Sequence, residues 1–76
     1  MICYEARVFG VSKYFTTFEL AEKRSCAAIS KLDFLNKNIK EMIAQEKYHE
    51  AIELWNKMSN MYYDKIKIIK VIIESQ

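Results

Sequence analysis

The sequence contains no proline and a single glycine, Gly10, in 76 residues. Average usage of the two is ~5% and ~7%. Neither the dinucleotide-binding fingerprint nor the phosphate-binding P-loop can be written with one glycine. The same scarcity after residue 11 favours long uninterrupted helices over a loop-rich fold. His49 is the only histidine, so no multi-histidine metal cluster exists within the chain. Cys3 and Cys26 are too few for a disulfide-stapled mini-protein and form no Cys-x-x-Cys pair. No apolar run approaches the ~18 residues that would span a membrane. The start has no basic region, and Glu5 and Arg7 interrupt its apolar residues, so no secretory leader is expected.

What is present is a globular composition: 51% hydrophobic, 29% charged and 13% aromatic, with a net charge of +2. That balance argues against disorder and allows one domain. A chain of this size buries only ~60–65% of its unfolded surface, and ordering it costs ~1.5 kcal/mol per residue. With no staple in sight, a homo-oligomer or an obligate protein partner is expected. Residues 1–38 carry six basic and four acidic side chains, and the remainder six of each, which describes an ordinary solvated surface. Ten lysines against two arginines, and ten isoleucines against four leucines, fit an AT-rich gene of phage, plasmid or low-GC bacterial origin. Unpaired cysteines fit a reducing, cytoplasmic compartment (the host cytoplasm, for a phage gene).

Residues 2–18 are rich in β-branched and aromatic side chains. Ile2, Tyr4, Ala6 and Val8 alternate with Cys3, Glu5 and Arg7, and Gly10 follows, which predicts a β-hairpin over 2–16. The loop is either Gly10-Val11 or Phe9-Gly10. Either choice puts Phe15 on the face of Ile2, Tyr4, Ala6 and Val8, with Glu5 and Arg7 opposite. Thr16 followed by Glu19 reads as a capping box. From there Ala21, Ser25, Ala28, Leu32, Leu35, Ile39 and Met42 keep a 4-3 spacing, which predicts one amphipathic helix over 17–45 or two broken near 36–38. Tyr48, Ile52, Trp55, Ser59, Tyr62, Ile66, Ile69 and Ile73 keep a second register. The phase changes at Gln45-Glu46-Lys47, where a tight turn is expected. The run from Lys65 to Ile73 is β-branched, which suits a strand, yet it continues the register and predicts a helix over 47–74. The expected fold is therefore α+β and mainly helical, an N-terminal β-hairpin packed on a long antiparallel helical hairpin.

No constellation predicts catalysis. His49 with Glu46, Glu50 and Glu53 reads as a solvated face beside the seam, and neither cysteine has a base assigned to it. Cys3 and Cys26 read as small buried apolar residues. Carboxylate pairs such as Glu19/Glu22 and Glu50/Glu53 are common on helices, and no cofactor or metal is expected. The ten aromatics are many for this length. Tyr4, Phe15, Phe18 and Trp55 fall on core positions. Phe9, Tyr14 and Tyr63 fall off them and are candidate partner anchors. Lys65, Lys67 and Lys70 with Tyr62 and Tyr63 would form a basic aromatic helical face, of a kind that can bind single-stranded nucleic acid.

Three partial resemblances follow from these residues. Glu46 to Met58 resembles a helix of a tetratricopeptide repeat. Tyr48, Ala51 and Trp55 match positions where that family packs paired helices, which implies a helical hairpin and nothing about ligands. Glu19 to Leu32 looks like a helix-turn-helix, with Ser25, Ala28, Ile29, Ser30 and Lys31 on its second helix. The order of hairpin then helix, through Phe15 to Ala21, is similar to the arm-binding domains of phage integrases. That likeness implies DNA reading by a basic sheet, for which this hairpin has Arg7 and Lys13. None of the three spans the chain, and no family is assigned from them. The expected function is a small non-enzymatic protein-interaction module, an adaptor or inhibitor of a larger protein that also self-associates. The alternative is a nucleic-acid-binding protein using the Lys/Tyr face.

Overall fold

Alternation in the first eight residues builds the centre of the molecule. The computed structural model describes residues 1–74. Strand β1 (Ile2–Val8) pairs antiparallel with β2 (Val11–Phe15) on one side and with β3 (Lys67–Ile72) on the other, in the order β2-β1-β3. Phe9 and Gly10 form the two-residue turn, both with positive φ (50° and 78°). Two positive φ values mark a type I′ turn, whose twist matches that of the strands it joins. The register Tyr4↔Phe15, Ala6↔Lys13 and Val8↔Val11 places the expected apolar face as read, and Ala6 is buried at its centre.

Helix α1 (Phe18–Ile29) follows directly and packs on that face, chiefly over β1. Its N-cap is Thr17, whose hydroxyl accepts from the Leu20 amide at 3.1 Å. The cap therefore lies one residue later than the capping box predicts, and Leu20 rather than Glu19 holds the third helical position. Helix α2 (Lys37–Ala44) and helix α3 (Tyr48–Met58) pack against each other, and α3 also packs on α1.

The single helix over 17–45 does not form. Ser30 closes α1, turns through Leu32 and Leu35 follow, and Asn36 restarts the chain. The Asn36 side chain accepts from the amides of Asn38 and Ile39, as N-caps do. The apolar stripe still predicts burial: Ala21 and Ser25 of α1, Leu35 of the connection and Ile39 of α2 are all buried. The turn expected at Gln45-Glu46-Lys47 is present. Lys47 N–H donates to the Met42 carbonyl and Glu46 N–H to that of Ile43, a Schellman motif with Glu46 at φ 61° in the place that usually takes glycine.

The helix over 47–74 is also absent. Helix α3 ends at Met58, a 3₁₀ turn occupies Tyr62–Asp64, and the isoleucine run becomes β3. The mainly helical, long-hairpin architecture is thus replaced by a mixed α+β fold. The core joins Cys26 and Ile29 of α1, Leu35, Ile39 of α2, Ala51 and Ile52 of α3, and Ile66 just before β3. Among the described residues, no helix is long and apolar enough to cross a membrane.

Candidate interaction site

The sheet has one face under α1 and one face open, and among the described residues neither of its edges is paired with a further strand. On the open face Glu5 accepts from the Ser12 hydroxyl at 2.7 Å, and Arg7 donates to Ser12 and to Glu5. Tyr14 stands beside Glu5, and Ile69 faces Glu5 from β3. Tyr14 is 61% exposed, so of the expected anchors on the hairpin it is free.

Phe9 is not. It is half-buried, edge-on to Trp55 with ring centroids 6.0 Å apart. Tyr63 is exposed on its ring, but its hydroxyl donates to the Phe9 carbonyl at 2.6 Å. Tyr62 is exposed, and the Lys67 ammonium lies 3.0 Å from its hydroxyl, which lowers the Tyr62 pKa. Lys65 turns back to the end of α3 and donates to the carbonyls of Asn56 and Ser59, at 2.6 and 3.1 Å. Lys67 and Lys70 lie on opposite faces of β3, because Lys67 pairs with Arg7 and Lys70 with Tyr4. The structure thus brings Tyr62 and Lys67 together. Tyr63 and Lys65 line one groove with them, beside Arg7 and Asn56. Lys70 does not join them.

The same loop is held by two further side chains of α3. Trp55 Nε1 donates to the Asp64 carbonyl at 2.6 Å. Asn56 takes both backbone groups of Ile66, donating to its carbonyl at 2.9 Å and accepting from its amide at 2.7 Å. This amide does for Ile66 what a neighbouring strand would do.

A polar cluster joins α1 to α3. His49 Nδ1 lies 2.6 Å from the buried Glu22 carboxylate, and Nε2 lies 3.0 Å from Glu53. The hydrogen bond to Glu22 and the charge of Glu22 raise the His49 pKa above its ordinary value, with smaller help from Glu53 and Glu50. Cys26 is fully buried nearby, and burial with the Glu22 charge pushes its thiol up to about 11. A thiol held protonated is a poor nucleophile. The geometry makes Glu22–His49 a cross-link between helices.

Two grooves were not legible from periodicity. One lies between β2 and α1, about 560 Å³ in volume, with Val11, Phe15, Leu20 and Ala28 along it and Lys13, Arg24 and Lys31 at its rim. The other is lined by Phe9, Leu32, Phe34, Trp55 and Met58. Phe34, 82% exposed, is a solvent-facing aromatic that periodicity did not single out. Its signal was present, since Phe34 falls between Leu32 and Leu35 and off the apolar stripe. No protein-family model, curated protein or solved structure matches the chain.

Proposed function

We propose that the protein is a small non-enzymatic interaction module that binds other polypeptide chains, a second copy of itself among them, and acts on a larger partner by occlusion or scaffolding. One observation carries this: the β3 edge is largely apolar and, among the described residues, unpaired. Met1 and Ile73 exchange both backbone hydrogen bonds, so the odd residues of β3 face β1 and the even ones face outward. Ile68, Lys70 and Ile72 therefore present free N–H and C=O groups. Ile69, Ile72 and Ile73 are 42%, 68% and 45% exposed. Such an edge is a template for strand pairing. A two-fold axis at Val71 sets Lys70 opposite Ile72 of the other copy and keeps the lysines from facing each other, which would be unfavourable.

The test is solution mass by light scattering over a dilution series, with Ile72→Pro as the variant. Proline there removes an outward N–H and leaves the β1 ladder intact. A wild-type dimer and a folded, monomeric Ile72→Pro protein are expected. A wild-type monomer at every concentration would reject self-association. The nucleic-acid alternative has less support, because Lys65 is engaged by α3 and Lys70 is turned away from Lys67. It predicts steep loss of oligonucleotide affinity with salt; a protein interface held by apolar contacts does not.

A further inference from the structure

We propose that the groove between β2 and α1 receives an extended segment of a partner protein, added antiparallel to the β2 edge and carrying a carboxylate between two apolar residues on its groove-facing side. This deepens the interaction-module reading and rests on it.

Backbone direction comes first. Val8 and Val11 close the two-residue turn, so the pairs Val8↔Val11, Ala6↔Lys13 and Tyr4↔Phe15 are the hydrogen-bonded ones. The N–H and C=O groups of Ser12 and Tyr14 then point away from β1, to an edge where no strand lies. An extended chain can satisfy them as strand-adding peptides do.

Side-chain parity then specifies the visitor. Val11, Lys13 and Phe15 lie on the α1 side of β2, and Ser12 and Tyr14 on the open side. Residues of an added strand that stand opposite Val11, Lys13 and Phe15 enter the groove together. Val11 is 57% exposed and Phe15 half-buried, so apolar residues fit opposite each. The groove volume is within the ~300–1,000 Å³ usual for binding sites.

Charge supplies the central position. Lys13 from the strand, Arg24 from α1 and Lys31 from the turn just after α1 line the groove, and no carboxylate does. Among the described residues none of these three cations is in an ion pair. A carboxylate opposite Lys13 would complement all three, and opposite charges across a strand pair are favourable. The required pattern is apolar-x-acidic-x-apolar, with polar residues at x beside Ser12 and Tyr14. None of this chain's own strands carries that pattern, which points to a different protein rather than a second copy.

The probe is a labelled, capped peptide, Thr-Val-Thr-Glu-Thr-Val-Thr, with a control in which lysine replaces the glutamate. Binding is read by fluorescence anisotropy, and its place by amide chemical shifts. Saturable binding of the glutamate peptide is expected, with shifts at Ser12, Tyr14 and along the groove side of α1. In Arg24→Glu/Lys31→Glu its affinity should fall about tenfold, as for two surface ion pairs, and the lysine peptide should gain. Both substitutions are at exposed positions, and circular dichroism checks that the fold is kept. Equal binding of the two peptides, shifts elsewhere, or no saturable binding would overturn the proposal. So would binding of phosphatidylserine vesicles, lost in the same variant, with no response to peptide. A dimer that ignores the peptide rejects the groove alone. A monomer that binds it rejects self-association alone.

Discussion

Tyr63 and Phe9 are 54 residues apart in sequence, and the hydroxyl of one donates to the carbonyl of the other at 2.6 Å. The bond ties the 3₁₀ turn to the tip of the hairpin. It also explains the one glycine. Gly10 has φ +78°, and a Cβ there would stand 2.9 Å from Tyr63 Cε2. Tyr63→Phe should cost about 1 kcal/mol in urea unfolding, the usual net worth of such a bond. Gly10→Ala should cost more, since it adds positive-φ strain to the clash. In a Tyr63→Ala background the clash disappears and the strain remains. The cost of Gly10→Ala should therefore shrink there without vanishing, and a double-mutant cycle reads the difference.

Asn56 holds the start of β3 through both backbone groups of Ile66. Asn56→Ala should cost about 2–3 kcal/mol, because two bonds are lost and both Ile66 groups are left partly buried without a partner. Hydrogen exchange at Ile66–Ile68 should speed up more than exchange in α1. Equal loss of protection in both would mean that Asn56 acts on the whole fold and not on this junction.

Glu46 occupies a left-handed position, φ 61°, at the end of α2. A non-glycine residue there costs ~1–2 kcal/mol, and glycine gives back part of that gain through unfolded-state entropy. Glu46→Gly should stabilise the protein by about 0.5–1 kcal/mol, read as a rise in the urea midpoint with an unchanged slope.

His49 is hydrogen-bonded to buried Glu22, and its pKa is raised for that reason. A group with a raised folded pKa stabilises fully below its unfolded value, ~6.5 for histidine, and loses that contribution as pH rises through the folded value. The thermal midpoint should therefore fall as pH goes from about 6 to about 9. His49→Gln keeps a donor for Glu22 and removes the titration, so its profile over that range should be flatter. A wild-type profile with no slope would sink the linkage.

Local pattern alone determined several features. Alternation placed Ile2, Tyr4, Ala6 and Val8 on the covered face of the sheet, because strand side chains point to opposite sides in turn. Helical spacing picked out Ala21, Ser25, Leu35 and Ile39 as buried, and Ile52 and Trp55 as seam residues, although Leu35 lies between two helices. The phase change placed the turn at Gln45-Glu46-Lys47. The tertiary structure decided the rest. Residues 67–72 suit a helix or a strand by pattern. They become a strand because β1 has a free side there and Asn56 and Trp55 hold the chain that leads into it. Tyr63 and Lys65 look available in one dimension and prove to be bonded to backbone carbonyls of other elements, the hairpin turn and the end of α3. The β2–α1 groove exists only because α1 lies over β1 and leaves β2 partly uncovered. Periodicity reports which side of an element is apolar. Which other element satisfies that side, and its backbone, is a long-range choice that local spacing does not encode.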